Sequence, residues 1–267
     1  MTISEFRKTV WDHYRDNRRN FPWRKARDPY AIMVSEIMLQ QTQADRVVPK
    51  YISFLHRFPT SRSLAGAKLS DVLSEWQGLG YNRRALYLKK TCEMIESEFD
   101  GNTQKALKSE TRLPGIGGYT RGAIRTFAFD EPHISIETNI RSAYIHHFFP
   151  RRKKVHDSEI VSYMRQSLDS ENPREWYWAL MDYGAYLKRT VGNPSRKSAH
   201  HAKQTEFEGS NRQLRSYILK ELLRSPQTAG ALHEKLGKPL IDIDRNLQTM
   251  TRENLVRDMG GVFSICN

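Results

Sequence analysis

A chain of 267 residues with 43 Lys and Arg against 30 Asp and Glu, a formal net charge of +13, exceeds one typical domain and favours a polyanionic partner held through counterion release at phosphates. No run approaches the roughly 20 apolar residues of a membrane helix, and the N-terminal stretch lacks the apolar core of a secretory signal, so a cytoplasmic protein without membrane attachment is expected. Cys92 and Cys266 are the only cysteines, which excludes a disulfide framework and any four-thiolate zinc or iron–sulfur site built from this chain alone.

Taken in chain order, the first distinctive string is Phe21-Pro22-Trp23-Arg24. The stretch from Asp28 to Thr42 reads as a helix that starts after Pro29 and is apolar nearly all round, with Glu36 its only acid. A carboxylate among Ile32, Met33, Ile37 and Leu39 would lose hydration. Its pKa is then expected to rise, so that it could hold a proton at neutral pH for general acid work. On periodicity alone, a Glu on a narrow solvated face is the better reading.

Leu73, Trp76, Leu79 and Tyr81 recur at helical spacing, as do Ile160, Tyr163, Met164 and Leu168, while alternating strand patterns are scarce. A mainly α fold is expected. Between these runs lies Leu113-Pro114-Gly115-Ile116-Gly117-Gly118-Tyr119-Thr120. Gly115, Gly117 and Gly118 permit a tight turn between two helices and expose amide N–H groups that can grip a phosphate without reading bases. A Gly-rich turn alone is also the mark of many ordinary loops.

From Ala185 to Thr205 the chain carries Lys188, Arg189, Arg196, Lys197, Lys203 and two histidines but no acid, and Gly192-Asn193-Pro194 breaks any helix. An irregular basic segment leading to a linker is expected. After Gly209-Ser210 the pattern becomes helix (Asn211 to Arg224), helix (Thr228 to Leu236), helix (about Ile241 to Leu255) and a short β-hairpin (Val256 to Cys266), an order that resembles a winged helix. Its third helix would bury Ile243, Leu247 and Met250 and present Arg245, Gln248, Thr249 and Arg252 to a DNA groove. A packing or dimerisation module is the alternative, and Asp242 and Asp244 weaken the groove reading.

Phe21-Pro22-Trp23-Arg24, the Glu36 helix, Gly78-Leu79-Gly80-Tyr81 and the Leu113 to Thr120 hairpin occur in an order that resembles the MutY-type adenine glycosylases of the helix-hairpin-helix superfamily. The resemblance spans about Phe21 to Tyr186, and Val34-Ser35-Glu36-Ile37-Met38-Leu39-Gln40-Gln41-Thr42-Gln43 is its most specific string. It implies a mainly α, two-lobed helix-hairpin-helix DNA glycosylase fold over residues 1–208, with the active site in the cleft between lobes. The winged-helix-like module of residues 211–267 would follow as a small C-terminal addition. By the same resemblance Glu36 matches the acid that protonates the purine to be removed. Gln40, Gln41 and Tyr81 match residues that probe or wedge into the opened base stack, and Trp23, Arg24 and Tyr30 lie where the family lines its base pocket. Surface or packing roles are the alternative for each.

The family's second carboxylate is an Asp, and Ile136-Glu137-Thr138-Asn139-Ile140-Arg141 puts Glu137 in its place. Such a carboxylate offsets the positive charge that builds on the sugar as the N-glycosidic bond breaks, and an extra methylene shifts its reach by a bond length. Related bifunctional glycosylases of the endonuclease III kind carry an imine-forming lysine just after the hairpin. Here that place holds Tyr119, which cannot form an imine, so a monofunctional enzyme leaving an abasic site is implied.

Two departures follow. The four cysteines that hold an iron–sulfur cluster in most relatives are missing around Lys188 to Glu208, so no cofactor and no metal are expected. The tail does not match the Nudix-like domain with which full-length relatives recognise 8-oxoguanine. The expected partner is double-stranded DNA containing a mismatched or damaged base, bound by a monomer. A thymine or uracil mismatch glycosylase shares the tyrosine at the place of Tyr119 but needs no acid at Glu36. A non-catalytic DNA-binding protein on the same scaffold is the reading from another class.

Overall fold

The computed structural model describes residues 1–201 and 206–267, so that Lys203 of the basic segment lies outside the described residues. From the N-terminus the chain forms α1 (Ile3–Asn17), α2 (Pro22–Lys25), α3 (Pro29–Leu39), α4 (Ala44–Arg57), α5 (Ser61–Ala65), α6 (Leu69–Trp76), α7 (Arg83–Glu98) and α8 (Thr103–Lys108). It continues with α9 (Gly118–Phe129), α10 (Thr138–Phe148), α11 (Asp157–Ser167), α12 (Pro173–Thr190) and a 3-10 turn at Pro194–Lys197. The tail holds α13 (Asn211–Leu222), β1 (Gln227–Thr228), α14 (Ala229–Leu236), α15 (Leu240–Arg252), β2 (Val256–Asp258) and β3 (Val262–Ile265). The starts obey local chemistry. Thr2 and Glu5 close a reciprocal capping box on α1, Pro22 and Pro173 occupy first-turn positions that need no N–H donor, and Ser210 and Thr228 cap α13 and α14.

Two helices end sooner than their apolar spacing predicts. The helix of Glu36 stops at Leu39, ahead of Gln41 at φ +55°. The run from Leu73 stops at Trp76, where Gly78 and Gly80 take φ of +91° and +71° and turn the backbone out of register. Gln40, Gln41 and Tyr81 therefore lie on turns, which removes the reading of the two glutamines as ordinary helix-surface residues.

Compactness groups the chain into two units. The first joins Met1–Ile32 to the described residues from Gly117 to 201. Its core is aromatic: Phe6 of α1, Tyr144 of α10 and Trp176 and Tyr177 of α12 are fully buried together. Helices α10 and α12 approach closely at Gly184, where an added Cβ would lie 1.9 Å from the carbonyl oxygen of Asn139. The described part of the basic segment after α12 is held by the chain itself. Val155 N–H donates to Lys197 O (2.9 Å) and Ala199 N–H to Val155 O (2.8 Å), forming a parallel bridge, while Lys197 Nζ reaches Pro150 O at 2.8 Å. The Asn193 side chain caps the 3-10 turn.

The second unit joins Met33–Ile116 to the described residues from 206 onward. Helices α4 to α7 pack around Phe54, Leu64, Leu73, Trp76, Leu88 and Ile95. In the tail, α13, α14 and α15 bury Ile218, Leu232, Ile243, Leu247 and Met250 beneath an antiparallel sheet of order β1-β3-β2, with Gln227 opposite Phe263 and Val256 opposite Ile265. The three helices and the hairpin run in the order read from the sequence of this stretch, with β1 as an added edge. Asn267 Oδ1 accepts from Ser70 N–H (2.9 Å), and Glu253 pairs with both Arg83 and Arg215, tying the tail to α6 and α7.

Candidate active site and nucleic-acid interface

Glu36 sits in the last third of α3 and is 9% exposed, flanked by Ser35, Ile37 and Met38, all more deeply buried. The narrow solvated face that periodicity favoured is therefore not what the fold provides. Past Leu39 the chain turns sharply, and Gln41 takes φ +55°, as Tyr81 takes φ +49° on the neighbouring loop. A left-handed backbone costs a residue with a side chain about 1–3 kcal/mol and persists only where the surroundings fix it.

Arg84, at the start of α7, is what fixes it. Its guanidinium is buried and donates from Nη1 to the carbonyls of Ile37 (2.9 Å), Met38 (2.8 Å) and Gln40 (2.6 Å), and from Nη2 to Leu79 O (3.2 Å), Gly80 O (3.0 Å) and Thr42 Oγ1 (3.1 Å). One side chain thus joins the C-terminal end of the Glu36 helix to the Gly78–Tyr81 loop. The last carbonyls of a helix lack partners within it and carry partial negative charge, which a buried cation satisfies on both counts. Burial pushes the Arg84 guanidinium down to about 10, so it stays charged at neutral pH.

The first half of the Gly-rich turn, through Ile116, belongs to the same unit. Thr91 Oγ1 donates to Pro114 O (2.7 Å) and Gln40 Nε2 to Gly115 O (3.2 Å), so Gln40 braces the hairpin. Gly115 has φ +75°, and an added Cβ would come 3.0 Å from Cβ of Tyr87. Gly117 forms the N-cap of α9 without a side-chain cap bond, and Gly118 begins the helix; a Cβ at either would meet open space. A helix start with no side chain on its first two positions is a feature an anionic phosphate oxygen can approach. Tyr119, in the first turn of α9, is 39% exposed.

In the first unit, Glu137 is the N-cap of α10. Its Oε1 accepts from the N–H of Asn139 (2.7 Å) and of Ile140 (2.8 Å), so its carboxylate is held in place by the backbone. Asn139 is in turn fixed by Lys188 Nζ of α12 (2.8 Å). Burial draws the Lys188 ammonium down from its ordinary range, opposed by the negative charge of Glu137.

Trp23 is buried and stacks on Phe21 with ring centroids 4.9 Å apart, and Tyr30 is buried in the first turn of α3. Arg24 donates twice to Asp182 (2.7 Å each) and to Arg19 O (2.8 Å), with Phe21 and Trp178 at cation–π distance. Burial acts to raise the Asp182 carboxyl, but Arg24 and Arg19 outweigh it and hold it below the usual range. Arg24 thus braces the wall that carries Trp23 and has its guanidinium ends committed to protein partners.

Arg245 and Arg252 lie exposed on α15, the first 3.3 Å from Asp242 and the second donating to Thr249 Oγ1 at 3.3 Å. Neither Arg84 nor Arg212 stands out in the sequence as functional, and Lys188 does so only as one cation of the basic segment. An arginine three residues after Gly78-Leu79-Gly80-Tyr81, inside a run that buries Ala85, Leu86 and Leu88, was the available signal for the first.

The four-thiolate site that the family resemblance brings with it does not fit these residues. Cys92 is buried in α7, where desolvation raises its thiol well above the usual range, and Cys266 follows β3 in the tail. The stretch that the resemblance sets in place of the cluster loop holds no cysteine, and its described part includes the bridge to Val155. No described helix is long and apolar enough to cross a membrane.

A family model described as HhH-GPD superfamily base excision DNA repair protein matches residues 34–167. An adenine DNA glycosylase of Buchnera aphidicola (subsp. Baizongia pistaciae) is 32% identical over 70% of this chain, although the chain spans only 54% of that relative's length. One from Mycobacterium tuberculosis is 29% identical over 98% of this chain and 93% of its own. Among solved structures, a thermostable thymine-DNA glycosylase aligns with TM-score 0.58 at 24% identity, over 68% of this chain and 86% of that one. A non-covalent endonuclease III–DNA complex aligns with TM-score 0.57 at 16% identity, over 89% and 100%. At these identities the two structures speak for the fold.

Proposed function

The chain belongs to the HhH-GPD superfamily of base excision DNA repair proteins, and from that premise we propose that it is a monofunctional DNA N-glycosylase that flips a base, with adenine favoured, out of a mismatched or damaged pair and hydrolyses its N-glycosidic bond. The observation that carries the reading is Glu36, a buried acid alone in an apolar helix whose C-terminal turn is clamped to the loop of Tyr81.

In this reading the hairpin at Gly115–Gly118 holds the backbone while Gln41 and Tyr81 enter the opened stack. Glu36 gives its proton to a ring nitrogen of the purine, which weakens the bond to the sugar and lets the base leave neutral. The carboxylate of Glu137, anchored on the start of α10, offsets the cationic sugar until water adds at the anomeric carbon and releases a proton to solvent, from which the Glu36 carboxylate regains the proton it gave. The products are a free base and an abasic site on an intact strand. The enzyme acts as a monomer on nucleic acid in the cytoplasm and draws on no cofactor.

Tyr119 gives a second reading its support, a pyrimidine mismatch glycosylase of the same fold. Single-turnover excision on A·G, A·8-oxoguanine, T·G and U·G duplexes separates the two. Adenine release is the expected result, and release confined to T·G or U·G would replace the first reading by the second. Tight binding with no abasic product from any duplex would leave a non-catalytic DNA-binding protein.

A further inference from the structure

Resting on that reading of Tyr81, we infer that the C-terminal module belongs to the base-opening apparatus, with Arg212 as the positioning residue through which it holds Tyr81. Tyr81 is 37% exposed and stands on a left-handed backbone between the Gly78–Gly80 turn and the start of α7. Arg84 secures its backbone from below, through Gly80 O and through its own N–H, which donates to Tyr81 O at 2.9 Å. The phenol is held by the module. Arg212, in the first turn of α13, donates from Nη1 to Tyr81 Oη (2.9 Å), and its guanidinium carbon lies 5.7 Å from the ring centroid, matched by that of Arg84 at 5.6 Å.

The contact is not a solitary reach across a gap. Glu253, at the end of α15, pairs with Arg83 two residues beyond Tyr81 and with Arg215 three residues beyond Arg212. This three-residue bridge and the bond from Ser70 to Asn267 set the start of α13 beside the Tyr81 loop. A phenol on a turn has rotamer freedom that must be surrendered when it enters a base stack. A cation that both bonds the hydroxyl and faces the ring removes that freedom before DNA arrives. On this account the module contributes pre-organisation at Tyr81, whatever its α15 surface does at a groove.

The test uses the full chain carrying Glu36→Gln, so that DNA is bound and not cut, with duplexes holding 2-aminopurine opposite guanine as the reporter of base opening. Arg212→Ala is expected to reduce the opening signal about tenfold, the scale of one lost charge-assisted hydrogen bond. It should leave affinity for undamaged duplex unchanged, and it should add nothing in a Tyr81→Ala background. Thermal unfolding that overlays the parent's is the expected control that the half-buried Arg212 is not needed for folding. Unchanged opening in Arg212→Ala, with Tyr81→Ala impaired, overturns the inference and spares the reading of Tyr81. Weaker binding of undamaged duplex with a smaller salt slope, additive with Tyr81→Ala, overturns it in favour of a plain phosphate contact. Full opening in Tyr81→Ala removes the reading of Tyr81 and the inference with it.

Discussion

The two carboxylates differ in what holds them, and that difference predicts how each tolerates change. Glu36 is buried in an apolar helix, so Glu36→Gln keeps size and polarity but has no acid proton to give. Single-turnover excision should fall by about 10²–10⁴-fold while lesion binding persists, and wild-type rates would remove the acid assignment. Glu137 serves the backbone as well as the proposed chemistry, since it caps α10 through the N–H groups of Asn139 and Ile140. Glu137→Gln retains an acceptor for both backbone bonds but loses the charge and the weak acceptance from Asn139 Nδ2 (3.3 Å), so the chemical step should slow with only a small change in stability. Glu137→Ala should also lose about 1 kcal/mol of cap energy in urea titrations. Glu137→Asp, with a carboxylate one methylene shorter and a strong capping tendency of its own, should keep much of the activity if the cap rather than the reach positions the charge.

On the proposed reading Tyr119 takes the place of an imine-forming lysine, and a phenol has no amine to condense with the sugar aldehyde. Product strands should therefore remain intact until alkali or heat is applied. A covalent enzyme–DNA adduct trapped by borohydride would contradict this.

At the scale of elements, the hairpin's glycines are not equivalent. Gly115 combines φ +75° with a Tyr87 side chain that a Cβ would meet at 3.0 Å, whereas Gly118 faces open space with an ordinary backbone. Gly115→Ala should lower stability by about 1–2 kcal/mol and weaken DNA binding together, because the turn must open to admit the methyl group. Gly118→Ala should be stable, and any loss of affinity there reports on crowding at the helix start. Equilibrium unfolding and duplex titration of the pair distinguish the two roles.

Helix α10 carries a built-in acid sensitivity. His147 hydrogen-bonds Tyr183 (2.7 Å), and burial, assisted by His146 and the chain's N-terminus, draws its pKa from 6.5 down to about 4. The folded form is thus neutral where the unfolded chain already binds a proton. The stability this contributes is complete above pH 6.5 and is lost as pH falls toward 4. His147→Gln should be less stable at pH 7 through the altered contact with Tyr183, yet lose less stability between about pH 6.5 and 4.5. Parallel slopes for the two proteins in urea midpoints against pH would refute the assignment.

For the whole molecule, a net charge of +13 and the phosphate contact proposed for the hairpin predict affinity led by phosphates. Binding of undamaged duplex should weaken steeply and log-linearly between about 50 and 200 mM salt, and a flat response would argue against it.

Much of this was already present in local sequence. Glu36 as the lone acid of its helix, the Gly-rich turn, the order of motifs that resembles the glycosylases, and the helix-helix-helix-hairpin course of the tail all depend on neighbours a few residues away, and periodicity and turn chemistry report on that range. What tertiary structure decided lies beyond it. Whether Glu36 is dry depends on what packs over its face. The end of α3 at Leu39 depends on carbonyls taken by Arg84, 44 residues beyond Gln40. The course of the described part of the basic segment depends on a bridge to Val155, and the setting of Tyr81 depends on Arg212, 131 residues further on. Such pairs share no spacing that a linear pattern can register, because it is the packing of helices that brings a guanidinium to a particular carbonyl or ring.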